Sequence, residues 1–214
     1  MKSEVVLVRI QAASGLVFAL FLAVHLANLA FAAGGATAYD AFQRAARTGY
    51  QLPLLEAVVL GAMLVHAAVS VVRLLRSRGS PAPRRSIGAR LHRIAGLFLL
   101  VFFAGHVAAT RGASVFGGVF PEFAGVAFTL RWIPLYFYPY YTLLALFGLY
   151  HGARGVMLAL PRLGVSVGRV RRWMIGALAL LAVMLLAGLT RMAREPAPRG
   201  EVPYAAWLAR IGVR

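Results

Sequence analysis

Residues 12–33 read AASGLVFALFLAVHLANLAFAA, an apolar run that carries one histidine, His25, and one amide, Asn28. A helix needs about 20 apolar residues to cross a hydrocarbon core roughly 30 Å thick, and a secretory h-region is shorter. The run therefore reads as a retained transmembrane helix, although Lys2 and Arg9 precede it. Four further runs qualify, at about 53–75, 94–110, 133–160 and 173–190. The expected fold is all-α. It is a polytopic membrane protein in which residues 1–192 form five transmembrane helices and residues 193–214 form a tail.

Composition agrees with this reading. Of 214 residues, 61% are hydrophobic and 14% charged, with mean hydropathy +0.76. A soluble domain carries about a quarter charged residues, so this chain lacks the polar surface to cover itself. The net charge of +17 suits nucleic acid in principle. The arginines, however, sit between apolar runs, which is a membrane pattern. With no cysteine, disulfides, iron–sulfur clusters and Cys-based zinc sites within this chain are excluded.

Arginine counts set the expected orientation. The connection after the second run carries Arg73, Arg76, Arg78, Arg84, Arg85, Arg90 and Arg93. The one after the fourth carries Arg162, Arg169, Arg171 and Arg172. The other two hold only Arg44 and Arg47, then Arg111 and Arg131. The positive-inside rule puts the N-terminus and the basic connections in the cytoplasm and the tail outside. Trp132, Tyr136, Tyr138, Tyr140 and Tyr141 then read as an aromatic belt at the outer end of the fourth span. Ser114–Leu130, broken by Gly117, Gly118, Pro121 and Gly125, reads as an outer or re-entrant segment over the bundle's mouth.

Each of the first four spans carries one histidine: His25, His66, His106 and His151. An ionisable residue at membrane depth points to function by default. At 1.5 Å per residue, His25 lies roughly 24 Å beyond Arg9 and His106 roughly 20 Å beyond Arg93, both towards the outer face. His66 lies roughly 10 Å before Arg73 and His151 one turn before Arg154, both towards the inner face. Two pairs result, His25 with His106 and His66 with His151. Paired imidazoles in a four-helix core suit haem iron, so two b-type haems are expected. Any one of these histidines alone reads equally well as a buried residue bonded to a neighbouring helix. Zinc fits worse, because it wants four ligands at one depth.

An internal repeat accompanies the pairing. Arg9-Ile10-Gln11-Ala12-Ala13-Ser14-Gly15 precedes His25, and Arg90-Leu91-His92-Arg93-Ile94-Ala95-Gly96 precedes His106, with the glycine ten residues before the histidine in both. The chain reads as a duplicated helical hairpin plus a fifth helix. Gly15 and Gly96 suit either porphyrin clearance or ordinary close helix contact.

At these residues the sequence resembles the diheme membrane cytochrome b subunit of succinate:quinone oxidoreductases and quinol:fumarate reductases, in the form with five helices and two haems. The resemblance covers roughly residues 5–192. It rests on the R-φ-x-R/A-x-x-G openings, the single histidine per span and the run from His151 to Gly155. It implies that His25 and His106 ligate a distal haem iron, and His66 and His151 a proximal one. It also implies a flavoprotein and an iron–sulfur subunit on the cytoplasmic face, membrane quinone (menaquinone is the one expected), a bacterial cytoplasmic membrane and a complex that can oligomerise further. Some members with two haems carry a glutamate two residues before the fourth ligand; here that residue is Leu149.

Lesser candidates remain. Glu56, the only acid inside a run, can exchange protons with quinone near the outer haem, or it is a solvated interfacial residue. His92, Arg90, Arg93 and Arg154 lie at the inner level and suit haem propionates, although topology alone accounts for the arginines, and His92 reads equally as a contact to the iron–sulfur partner or as a solvated terminal residue. Arg131 is the outer counterpart. The chain contains no soluble catalytic domain, so dicarboxylate chemistry would belong to a partner. Two other readings compete: the cytochrome b of a formate or hydrogenase complex, and a small transporter. The regular histidine series disfavours the first, and the lack of other polar midplane residues disfavours the second.

Overall fold

The computed structural model describes residues 2–77, 86–195 and 202–213. Arg78, Arg84 and Arg85 of the first basic connection lie outside the described residues. Every regular element among those described is helical. In chain order these are α1 (Lys2–Phe31), α2 (Ala36–Tyr50), α3 (Pro53–Arg76), α4 (Ile87–Val107), α5 (Ala113–Gly117), α6 (Phe123–Trp132), α7 (Pro134–Arg162), α8 (Gly168–Arg194) and α9 (Pro203–Arg210). A π-helical turn, Ala108–Gly112, joins α4 to α5 without a break.

Five of these stretches are long and apolar enough to cross a membrane: Ser3–Gly34, Pro53–Arg76, Ile87–Gly117, Pro134–Arg162 and Met174–Arg194. The chain is an all-α polytopic membrane protein. Its helices carry bare apolar faces that water would not tolerate: Leu20 is 74% exposed, Leu54 75%, Val101 72% and Ile175 66%.

Local signals explain the boundaries. Proline at the first position starts α3 and α7, where its missing N–H costs nothing. Ser86 caps α4 by accepting from the Ala89 amide. Gly118, with φ of 63°, ends α5 in the left-handed region.

The third span departs from expectation. It runs from Ile87 to Gly117 rather than over 94–110, so Ser114–Gly117 belong to its last turn. Arg90 and Arg93 are exposed on its first turns, where their stems can lie along the helix and their charges in water. The rest of the expected outer segment holds most of α6, which covers the mouth together with α2 and α9. Asp40 of α2 accepts from the Phe123 amide at the start of α6, 2.9 Å away, and Arg44 pairs with Glu122 at 3.5 Å. From the tail, α9 packs back onto the same end through Tyr204 and Leu208 against Ala113, Phe128 and Trp132.

The belt is also partly redirected. Tyr138 and Tyr141 pack into the cluster of Ala32, Tyr39 and Phe123, and the Tyr141 hydroxyl lies 3.0 Å from the Thr129 hydroxyl. Once α6 lies over α7, these rings meet protein on that side.

Within the bundle, α1 packs against α3, α7 and α8, and α7 against α4 and α8. No extended contact forms between α3 and α4 among the described residues. Spans one to four thus make a quadrilateral, with α1 opposite α4 and α3 opposite α7. The fifth span closes its back, where Gly188 approaches so near that a Cβ would lie 2.5 Å from the Leu29 carbonyl oxygen.

Candidate functional site

The four span histidines meet across the two diagonals of the quadrilateral. His25 of α1 and His106 of α4 have ring centroids 5.8 Å apart, with planes at 79°. His66 of α3 and His151 of α7 have centroids 6.2 Å apart, with planes at 86°. Gly15 touches the His66 ring and Gly96 the His151 ring. The other pair lies ten residues further along both helices, so the two levels are about 15 Å apart. Among the described residues no three His, Asp or Glu side chains converge on a metal position. The arrangement is two separate two-histidine sites.

The His66–His151 pair is oriented by the main chain. His66 Nδ1 lies 3.0 Å from the Gln11 carbonyl oxygen, and His151 Nδ1 lies 3.1 Å from the His92 carbonyl oxygen. A carbonyl oxygen can only accept, so both rings carry their proton on Nδ1 and leave the Nε2 lone pair free. Gln11 and His92 occupy equivalent places in the sequence repeat, each four residues before its glycine. The repeat is therefore a repeat of this hydrogen bond. On the Gln11 side a polar chain steadies it. Gln11 Nε2 donates to Ser70 Oγ at 2.7 Å, Ser70 Oγ donates to the His66 carbonyl, and Arg73 donates to the Gln11 side-chain oxygen and to Glu4.

The two glycines have a definite role. A Cβ on Gly15 would lie 2.8 Å from His66 Nδ1, and one on Gly96 would lie 2.7 Å from His151 Cε1. They admit the imidazole of the other helix, and that is why the motif ends in glycine. Spacing along one chain places the glycine ten residues from its own histidine and gives no sign that it touches a different one.

Of the candidates Arg90, His92, Arg93 and Arg154, only His92 touches the pair, and Arg154 lies beside the start of α4. The His92 ring stacks flat on His151, with centroids 4.1 Å apart and planes at 2°. The Arg154 guanidinium lies against Gly88, whose carbonyl accepts from the Tyr150 hydroxyl at 3.0 Å. His92 Nδ1 and Arg154 Nε are buried without a partner. Arg90 and Arg93 are exposed and not gathered to this site.

At the other end Phe21 stacks on His25, with centroids 5.7 Å apart, and Tyr50 of α2 meets Phe21 edge-on at 5.3 Å. Glu56 is not a lone acid. Arg111 donates to both of its oxygens, one from Nε and the other from Nη2 at 2.7 Å, and reaches Ser114 Oγ at 2.9 Å. Arg111 was legible only as a connecting arginine; the π turn after His106 aims it at α3. Arg131 donates from Nη1 to the Glu195 carbonyl at 2.6 Å, and its Nη2 is buried without a partner. Sequence reasoning also missed α2. Its inward stripe of Tyr39, Gln43, Arg47 and Tyr50 follows i, i+4, i+8 and i+11 spacing, a signal visible in 36–50. Burial in this cover pushes the Tyr39 hydroxyl well above its ordinary value, so it stays neutral.

These residues fit haem. With metal–nitrogen bonds of about 2.0 Å and about 1.1 Å from nitrogen to ring centre, two axial imidazoles have centroids about 6 Å apart. Both pairs meet that spacing, the His66 and His151 rings present Nε2, and buried donors without partners lie at both ends. No family model, curated protein or solved structure matches the chain.

Proposed function

We propose that the chain is the membrane anchor and electron-transfer subunit of a succinate dehydrogenase or fumarate reductase complex. In this reading His66 and His151 hold one b-type haem, and His25 and His106 a second. The observation that carries it is the pair of diagonal two-histidine sites at two levels, each about one iron wide. Bound there, haem supplies one-electron exchange at two depths.

The chain's own residues do the rest. The Gln11 and His92 carbonyls fix the inner tautomers, and Gly15 and Gly96 let the rings enter. The end that carries the basic connections and the N-terminus faces the cytoplasm of a bacterium and docks an iron–sulfur subunit with its flavoprotein. Membrane quinone, of the menaquinone type, reacts near the opposite end. There the bidentate Glu56–Arg111 pair offers a carboxylate and a guanidinium to a group that gains or loses protons. The arginine excess of the first end supports this orientation.

The test is a reduced-minus-oxidised spectrum with haem quantification on chain purified from its native membrane. Two b-type haems per chain, with a co-purifying flavoprotein, is the expected result. Absence of haem overturns the reading, and two haems without a flavoprotein would favour another respiratory dehydrogenase.

A further inference from the structure

The third span does not end as a plain α-helix. Just after His106, the turn Ala108–Gly112 bonds to the fifth residue instead of the fourth, a rare form that is frequent at functional sites. One residue subtends about 100° of an α-helix, so the extra residue turns everything beyond it by about that angle. The turn brings Arg111 onto both oxygens of Glu56 in α3, and Arg111 Nη1 also donates to Ser114 Oγ at 2.9 Å. In an unbroken α-helix Arg111 would lie about 100° further round, off α3. A rare conformation persists only where its surroundings hold it.

The tail helix α9 grips this turn along one face. The Ala113 amide, which would serve the Ala109 carbonyl in an α-helix, bonds the Thr110 carbonyl instead. The Ala109 carbonyl accepts from the Tyr204 hydroxyl at 2.9 Å. One turn on, Ala113 is fully buried in a cluster with Val202, Tyr204 and Leu208. A further turn on, Gly117 lies so close to Trp207 that a Cβ would overlap its ring. Residues 109, 113 and 117 follow four-residue spacing and so share a face. Return to α-helical register would swing Arg111 off Glu56 and would carry Ala113 and Gly117 off α9 in the same movement. The two contacts hold or fail together.

We propose that α9 holds the Glu56–Arg111 pair together, with Tyr204 as the positioning residue that acts through the Ala109 carbonyl. The pairing is a matter of backbone register, and its effect on turnover rests on the quinone reading above. The test has two readouts. One is quinone-linked turnover of the purified complex. The other is the spin-label distance between Leu54→Cys and Phe116→Cys in the purified chain. Both positions are exposed, on α3 and beyond the turn, and the chain has no cysteine of its own. Tyr204→Phe should lower turnover up to about fivefold, the population shift that one neutral hydrogen bond can make, and should add a second distance. Gly117→Ala, which displaces Trp207, should do both more strongly. Deleting Ala109 removes the extra residue and leaves Arg111 facing α3 in an ordinary α-helix. In either background this deletion should restore turnover and the single distance, a rescue that a tail with a merely stabilising role would not allow. The proposal is overturned if both substitutions leave the distance at its wild-type value, or if the deletion restores nothing. If Gly117→Ala fails to accumulate, Tyr204→Phe with and without the deletion carries the test. A distance that shifts and is restored while turnover never changes would uphold the role of α9 and overturn the quinone site at Glu56 instead.

Discussion

The His92 ring lies flat on the His151 ring at 4.1 Å, while the His92 main-chain oxygen lies 3.1 Å from His151 Nδ1. One residue therefore touches its neighbour through two separable contacts, and substitution separates them. On the proposed haem reading, His92→Ala removes the ring and keeps the carbonyl, so both haems should remain bound, with a changed potential only for the inner one, held by His66 and His151. Loss of a haem in this variant, measured by pyridine haemochrome, would make His92 a ligand.

Ligand assignment is tested by the four span histidines singly. His66→Ala or His151→Ala should remove the inner haem, and His25→Ala or His106→Ala the outer one. A variant that loses the haem of the other level would break the diagonal pairing.

Gly15→Ala and Gly96→Ala should behave like inner-ligand losses although neither residue can bind metal. Each new methyl would meet an imidazole at under 3 Å, and overpacking of this kind costs about 1–3 kcal/mol. Gly61→Ala and Gly105→Ala add a methyl into open space and should be silent. Haem content of the four variants gives the answer, and equal content in all of them would place the rings differently.

Glu56 and Arg111 act as one unit, so their substitutions should not add. Glu56→Gln and Arg111→Gln should each reduce quinone-linked turnover to a similar extent, with both haems retained. The double variant should be no worse than either. Near-normal turnover in Glu56→Gln would move the quinone site away from this pair.

The tail helix should be held by few contacts. The Tyr204 hydroxyl donates to the Ala109 carbonyl of the π turn at 2.9 Å, and loss of this bond in Tyr204→Phe should cost about 1 kcal/mol. Gly117→Ala should do more, because its methyl would overlap the Trp207 ring. Limited proteolysis after Arg194 and Trp207 fluorescence would report release of α9; unchanged protection in Gly117→Ala would show another register for the tail.

By itself the sequence determined the number of spans and the residues that cannot face lipid without a partner, because both follow from hydropathy and helical length. Apolar runs long enough to cross hydrocarbon need no tertiary contact to declare themselves, and alternating helix direction already put His25 level with His106 and His66 level with His151. Only the tertiary structure decided which atoms meet. Gly15 touches His66 and Gly96 touches His151 because α1 and α3, and α4 and α7, pack side by side, and no periodicity along one helix encodes its neighbour. Glu56 became half of an ion pair because a π turn rotates Arg111 onto it. Of the cover, only the stretch that forms α6 was placed from the sequence; α2, whose stripe was visible in 36–50, and α9 were not, because short segments of this kind take their place from the surface they cover rather than from their own hydropathy.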